Sequence, residues 1–204
     1  MNPTDPAAAP PTAKERLLGA ALTLIRSHGF AATSLNAVCD AAGVTKGAFF
    51  HHFASKEALG VAAAEHWSQT TGKLFAGAPY HALAHPLARV FGYIDFRARL
   101  LQGPVEDFTC LAGTLLQETF LSSPAIRAAC DTSIGDHATK VEADIALALA
   151  ARPIPGIDAR DLALHIQAVL QGAFILAKAK GSADIARASV THLKRYFELL
   201  FNRA

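Results

Sequence analysis

The sequence predicts an all-α fold, and three observations carry that expectation. Alanine, leucine and straight-chain polar residues dominate a composition that is 51% hydrophobic, and these are strong helix formers. Alternating runs rich in valine, isoleucine and threonine, the mark of strands, are missing. Capping residues, glycines and prolines punctuate the chain at intervals suited to helices. The 204 residues suffice for one sizeable domain, or for a small domain joined to a larger one.

Taken in order, residues 1–11, MNPTDPAAAPP, hold four prolines and almost no core-forming side chain, so a disordered tail is expected there. Order should begin at Thr12, where TAKE has the spacing of a capping box, with Glu15 three residues on. Leu17, Leu18, Ala21, Leu22 and Ile25 continue as a helical stripe that stops at Gly29. Thr33 or Ser34 can cap a short second helix burying Leu35, Val38 and Ala42, which Gly43 ends. Thr45 caps a third helix almost at once, giving helix, tight glycine turn and helix within about twenty residues. Ser55 caps a longer fourth helix. Beyond Pro79, helices are expected near 83–102, 105–122, 124–151, 159–180 and 183–201, with Pro104, SSP, RPIPG and GSAD between them.

The formal net charge is only +2, and residues 1–60 carry five basic side chains against four acidic ones. A polyanion surface must therefore come from placement and not from bulk charge. Cys39, Cys110 and Cys130 form an odd, widely spaced set without C-x-x-C, which argues against a disulfide framework or a zinc site and suits a reducing compartment. No unbroken apolar run reads as a membrane span and no leader pattern opens the chain. A cytoplasmic protein with no membrane partner is expected.

The third helix carries the sharpest signal. At 100° per residue, Ala48, Phe49, His52 and Phe53 fall on one side and Lys46, Gly47, Phe50 and His51 on the other. The first set reads as core. The second joins a cation, a residue without a side chain, an aromatic and an imidazole, a set suited to a nucleic-acid groove. Gly47 costs a helix interior about 1 kcal/mol against alanine, so something should approach that backbone closely. Thr33 and Ser34 at one helix start, and Ser55 and Lys56 at another, can hold phosphates at two separated N-termini. From spacing alone, Phe49, Phe50 and Phe53 can equally be core aromatics and Lys46 a solvated lysine.

The run ERLLGAALTLIRSHGFAATSLNAVCDAAGVTKGAFFHHFASKEAL, Glu15 to Leu59, resembles the DNA-binding domain of the TetR family of transcriptional regulators. The match rests on the first helix, the G-F-x-x-T-S entry, the A-G-V-T-K-G turn and the H-F-x-S-K-E-x-L exit, in that order. The resemblance implies a helix-turn-helix DNA-binding domain over 12–58 and a helical ligand-binding and dimerisation domain over 59–204. It also implies that Thr33, Thr45, Lys46, Gly47, Phe50, His51 and Lys56 match positions that commonly touch DNA. The family usually has tyrosine where this chain has Phe50, so a phenolic hydroxyl is missing and His51 becomes the polar contact at that end of the helix.

One such unit covers few base pairs, and two would have to lie about 34 Å apart on one face of a duplex. The last two long helices are apolar on more than one side and so need two neighbours. They resemble the four-helix dimer bundle of the TetR family. Leu162, Ile166, Val169, Ala173, Leu176, Leu193, Phe197 and Leu200 are the expected interface residues; the alternative is burial inside one chain. Between the two ends, Trp67, Phe91, Phe96, Phe108, Gln117, Phe120 and His137 are candidates to line a cavity for a mainly apolar effector. Cys110, in FTCLAG, joins them as a pocket candidate. Near a helix N-terminus its thiol can serve as an electrophile or oxidation sensor, or simply fill space as a small apolar residue.

No cofactor or metal is expected: His81 and His85 stand four apart, but Pro86 opposes a helix through them. G-x-S-x-G, G-x-G-x-x-G, Walker A and H-E-x-x-H are all absent, so nothing nominates a catalytic nucleophile with its base. The expectation is a homodimeric regulator, a repressor, that binds double-stranded operator DNA and answers to a small-molecule effector. The rival is a helical small-molecule-binding protein whose DNA reader is degenerate.

Overall fold

The structure, a computed structural model, describes residues 10–202. Most of the proline-rich start lies outside that range. Ten α-helices and one 3-10 turn make up the described residues, with no strand among them: α1 Ala13–His28, α2 Leu35–Ala42, α3 Lys46–His52, α4 Lys56–Ala76, α5 Pro86–Leu100, α6 Val105–Phe108, α7 Leu111–Thr119, α8 Pro124–Ala151, α9 Ala159–Lys180 and α10 Asp184–Asn202.

The helix starts obey local chemistry. Thr12 and Glu15 form the reciprocal capping box of α1. Ser34, Thr45, Ser55, Ser123 and Asp158 each accept a backbone N–H at the start of α2, α3, α4, α8 and α9. Two expected spans differ. Pro86 sits in the first turn of α5, so that helix starts three residues later than expected, because proline has no N–H to lose only at a helix start. The expected helix over 105–122 is broken at Thr109 and Cys110, both with extended backbone, into α6 and α7.

Two cores organise the helices. In one, Leu17, Ile25, Val38, Phe49, Leu59 and Ala63 from α1–α4 pack with Leu111 and Leu115 of α7 and Ile126 of α8. In the other, Tyr93 and Ile94 of α5, Ile145 of α8, Ile166 and Leu170 of α9 and Phe197 of α10 meet Phe75 at the end of α4. Helix α4 thus belongs to both cores, its first half to one and its last turn to the other.

Helix α9 is long and apolar enough to cross a membrane by length and composition alone, although His165, Gln167 and Gln171 interrupt its apolar run. It is a core helix here: Leu162, Ile166, Leu170 and Phe174 are buried within the chain.

Candidate nucleic-acid interface and effector cavity

The α2–α3 unit is built by three local devices. Ser34 Oγ accepts from Ala37 N–H at 3.1 Å. Gly43 turns the chain in the left-handed region at φ 61°, where a Cβ would be strained. Thr45 Oγ1 then accepts from Ala48 N–H at 3.2 Å. Buried Phe49 and Phe53 anchor α3, with their ring centroids 5.6 Å apart. Lys46, Gly47, Phe50 and His51 face outward, Phe50 being 55% exposed. A Cβ on Gly47 would meet only Thr45 Oγ1, at 3.8 Å. The chain itself therefore does not demand glycine there, and the space beside that backbone is open to an outside partner.

Two expected DNA contacts have other duties. Thr33 is buried and its hydroxyl donates to the Gly29 carbonyl at 2.6 Å, which takes it off the surface and leaves Ser34 as the cap. Lys56 Nζ donates to the Ala31 carbonyl at 3.1 Å and lies 4.6 Å from the Phe30 ring centroid. Partial burial holds its pKa below the ordinary lysine value, opposed by Glu118. Lys56 therefore braces the α1–α2 turn. Spacing showed where its Cα would fall but not that Phe30 would lie beneath its ammonium.

That turn is also held from α7. Glu118 accepts from Phe30 N–H at 3.1 Å and from Ala31 N–H at 2.7 Å, and a Cβ on Gly29 would run into its carboxylate. Ser123, at the head of α8, donates to Glu57 on α4. Arg26 of α1 donates to the Thr109 carbonyl at 3.0 Å and lies 4.9 Å from the Trp67 ring centroid. No sequence motif pointed to Glu118, Ser123 or Arg26.

Behind these contacts lie the cavities. One of about 50 Å³ is walled by Trp67 and Phe75 of α4, Arg97 of α5, Phe108, His137 of α8 and Phe174 of α9. A second, of about 210 Å³, lies beyond Phe75 and His137 and is bordered by Tyr80, Tyr93, Lys140 and Asp144. A cleft of about 210 Å³ between α7 and α9 holds Cys110, Gln117, Glu118, Gln171 and Lys178. Of the expected pocket residues, Trp67, Phe108, Cys110 and His137 meet at the first cavity, and Gln117 lines the cleft. Phe91 and Phe96 instead pack against the second core, because α5 turns them away, and Phe120 is 49% exposed.

At the first cavity, Arg97 donates from Nε to Tyr93 Oη at 2.9 Å and from Nη2 to His137 Nε2 at 2.7 Å. Burial, then Arg97 and Lys140, push the His137 pKa down to about 3, so the imidazole is neutral. Arg97 and Gln167 were missed from sequence; the signal available for Arg97 was its position four residues after Tyr93 on one helix face.

The expected dimer residues divide differently. Leu162, Ile166, Ala173, Leu193 and Phe197 are buried inside the chain and so cannot face a second copy. Val169 and Leu200 are half-buried. Leu176 is exposed, together with Leu164 and Ile175 on α9 and Tyr196 and Leu199 on α10. Period alone could not tell which of the two apolar sides of these helices meets α5 and α8. His81, whose Nε2 lies 3.0 Å from the Phe75 carbonyl, is in a 3-10 turn, and His85 precedes α5.

Comparison with known proteins then gives three findings. Residues 17–63 match the family model described as bacterial regulatory proteins, tetR family, and residues 86–189 match the transcriptional regulator LmrA/YxaF-like C-terminal domain. An uncharacterized HTH-type transcriptional regulator YerO of Bacillus subtilis is 43% identical over 54 residues, 26% of this chain and 19% of that one. The HTH-type transcriptional regulator UidR of Escherichia coli is 41% identical over 46 residues, 22% of this chain and 24% of that one. The chain therefore spans only about a fifth to a quarter of the curated relatives it matches. A TetR-family regulator from Agrobacterium tumefaciens superposes with a TM-score of 0.79 at 20% identity, over 90% of this chain and 96% of that one. Reduced NemR of E. coli gives 0.77 at 22%, over 90% and 95%. A TetR regulator from Chloroflexus aurantiacus gives 0.79 at 26%, over 91% and 94%.

Proposed function

Because the chain belongs to the TetR family of bacterial transcriptional regulators, we propose that this DNA-binding regulator is a cytoplasmic, non-enzymatic homodimer that represses transcription and is released from its operator by a small molecule. The observation that carries the reading is the outward face of α3. Lys46, Gly47, Phe50 and His51 are exposed together on a helix fixed from behind by Phe49 and Phe53, a geometry suited to entering a major groove. In this reading Ser34, Thr45 and Lys46 meet phosphates, while Phe50 and His51 reach base edges.

Helix α4 connects sensing to reading. Its Trp67, Thr71 and Phe75 line the first cavity, and its Leu59 and Ala63 pack against α1 in the reader's core. An effector that prefers one placement of α4 shifts the separation of the two α3 helices in a dimer, by its difference in affinity for the two arrangements. The exposed Leu164, Ile175, Leu176, Tyr196 and Leu199 supply the pairing face of α9 and α10.

Fluorescence anisotropy of the purified protein on the intergenic DNA beside its own gene, against a scrambled duplex and over a range of salt, tests this function. Specific binding with dimer stoichiometry is expected. Equal weak binding to both duplexes would leave a helical ligand-binding protein with a degenerate reader.

One observation favours a second mode of release. Cys110 lines both the first cavity and the α7–α9 cleft, while Cys39 and Cys130 are buried. An electrophile entering either space meets Cys110 first. Alkylation that leaves operator affinity unchanged would remove this mode.

A further inference from the structure

The first cavity holds a cation without a counter-ion. Arg97 is half-buried there, and all its partners are neutral: the Tyr93 hydroxyl, the His137 ring and, 4.3 Å from its Cζ, the Phe75 ring centroid. The pairs formed by other cations, Arg89 with Asp144, Arg160 with Glu142, Arg187 with Asp184 and Lys194 with Asp95, show what Arg97 lacks. No carboxylate lines the first cavity. Asp144, at the edge of the second, is held by Arg89 at 2.6 Å. Lys140 adds a second positive group beside that cavity.

A hydrogen-bond inventory points the same way. Arg97 brings five N–H groups, Tyr93 one O–H and Gln167 two N–H groups. Arg97 Nη2 and Tyr93 Oη both approach His137 Nε2, at 2.7 and 2.9 Å, although that atom offers one lone pair. Gln167, buried, donates to Tyr93 Oη at 3.4 Å, where Arg97 Nε already donates. The cluster is rich in donors and short of acceptors. A neutral hydrophobic effector would leave it so, and a half-buried guanidinium without a counter-charge is costly.

We infer that the effector is a small organic monocarboxylate with a flat apolar body, its carboxylate held on Arg97 and its body, too large for the first cavity of about 50 Å³ alone, reaching past Phe75 into the second of about 210 Å³. A carboxylate presents two oxygens to the planar fork of Arg97, and the four aromatic side chains of the same cavity wall suit a ring or conjugated chain. Phe75 and His137 stand between this cavity and the larger one. A body that fills both moves one of these rings, and Phe75 is the last buried residue of α4. The inference rests on the reading of the protein as a ligand-responsive regulator and names the ligand's chemistry.

The test is calorimetric titration of the full-length protein with benzoate, cinnamate and 2-naphthoate and with their primary amides, together with fluorescence of Trp67, the chain's single tryptophan. At least one acid should bind saturably and perturb Trp67, with its amide weaker by tenfold or more. Arg97→Gln should remove that preference, and Arg97→Lys, which keeps the charge without the fork, should retain part of it. Equal affinity for acid and amide, no binding of any acid, or an unchanged preference in Arg97→Gln overturns the inference. Should Arg97→Gln fail to fold, the acid-to-amide ratio of the natural protein and of Arg97→Lys still decides. Operator binding with and without the bound acid separates the two levels. An acid held by Arg97 that leaves DNA affinity unchanged supports the site and removes ligand control by it; release by amides alone overturns the carboxylate and leaves ligand control standing.

Discussion

The carboxylate of Glu118 accepts the backbone N–H of Ala31 at 2.7 Å, so a side chain on α7 satisfies the turn that leads into the DNA-reading helices. The same carboxylate reaches Phe30 N–H, and Lys56 holds the Ala31 carbonyl from the other side. Two side chains far apart in sequence thus fix one turn. Glu118→Ala is expected to lower stability by about 1 kcal/mol, at the modest end for a charged hydrogen bond because Glu118 is exposed. It should also weaken operator binding. Urea denaturation checks the first effect, and an unchanged midpoint would show that the brace contributes nothing.

The two lysines expected to touch DNA should now behave differently. Lys46→Ala should weaken binding to every duplex and reduce the salt slope by about one, because its ammonium is free to meet a phosphate. Lys56→Ala should cost stability through the lost Ala31 and Phe30 contacts, with a smaller change in salt slope. Anisotropy at several salt concentrations, paired with thermal melts, distinguishes them.

On α3, His51→Ala is expected to alter sequence preference, because His51 is exposed at the end of the reading face. Phe50→Tyr should tighten binding by about 1 kcal/mol if the new hydroxyl meets a phosphate. At 55% exposure the ring has room for that hydroxyl. Competition against a library of half-site variants checks both, and a uniform loss in His51→Ala would put that residue on the backbone.

Acid should destabilise the protein through His137. Its folded pKa is pushed down to about 3, from an ordinary value of 6.5. Between those values the unfolded chain carries a proton that the folded chain does not, so stability falls as pH drops from about 6.5 toward 3. One such group contributes a slope of up to about 1.4 kcal/mol per pH unit. His137→Gln should flatten that limb in urea titrations at successive pH values; an identical slope would assign the acid sensitivity to other groups.

Leu199→Glu and Ile175→Glu should shift the sedimentation of the protein toward the monomer and weaken operator binding, since both side chains are exposed on α10 and α9. Leu162→Glu should instead prevent folding, because Leu162 is buried in the chain's own core. A stable dimer of both surface variants would place the pairing face elsewhere.

The reading half was legible because its rules are local. Caps at Thr12, Ser34, Thr45 and Ser55 and the left-handed Gly43 declare the helices within a few residues, and the period of α3 separates Phe49 from Phe50. The sensing half was less so. An aromatic such as Phe96 or Phe108 looks the same in sequence whether it packs or lines a cavity. The Arg97, Tyr93 and His137 cluster joins residues up to 44 positions apart, and the break at Thr109 has no glycine to announce it. The sequences of α9 and α10 are apolar on two sides, but which side is inward depends on where α5 and α8 lie.

The sharing of one core by α1–α4 with Leu111, Leu115 and Ile126 bears on how far the reader can be exchanged between proteins. A chimera that joins residues 12–58 to the sensor of another regulator inherits foreign side chains beneath Leu17, Ile25 and Phe49, and a foreign residue where Glu118 met the Phe30 and Ala31 amides. Transplanting the operator preference of this protein therefore requires moving a patchwork of α7 and α8 positions along with the head. A graft cut cleanly after the third helix should yield a protein that melts early and reads poorly.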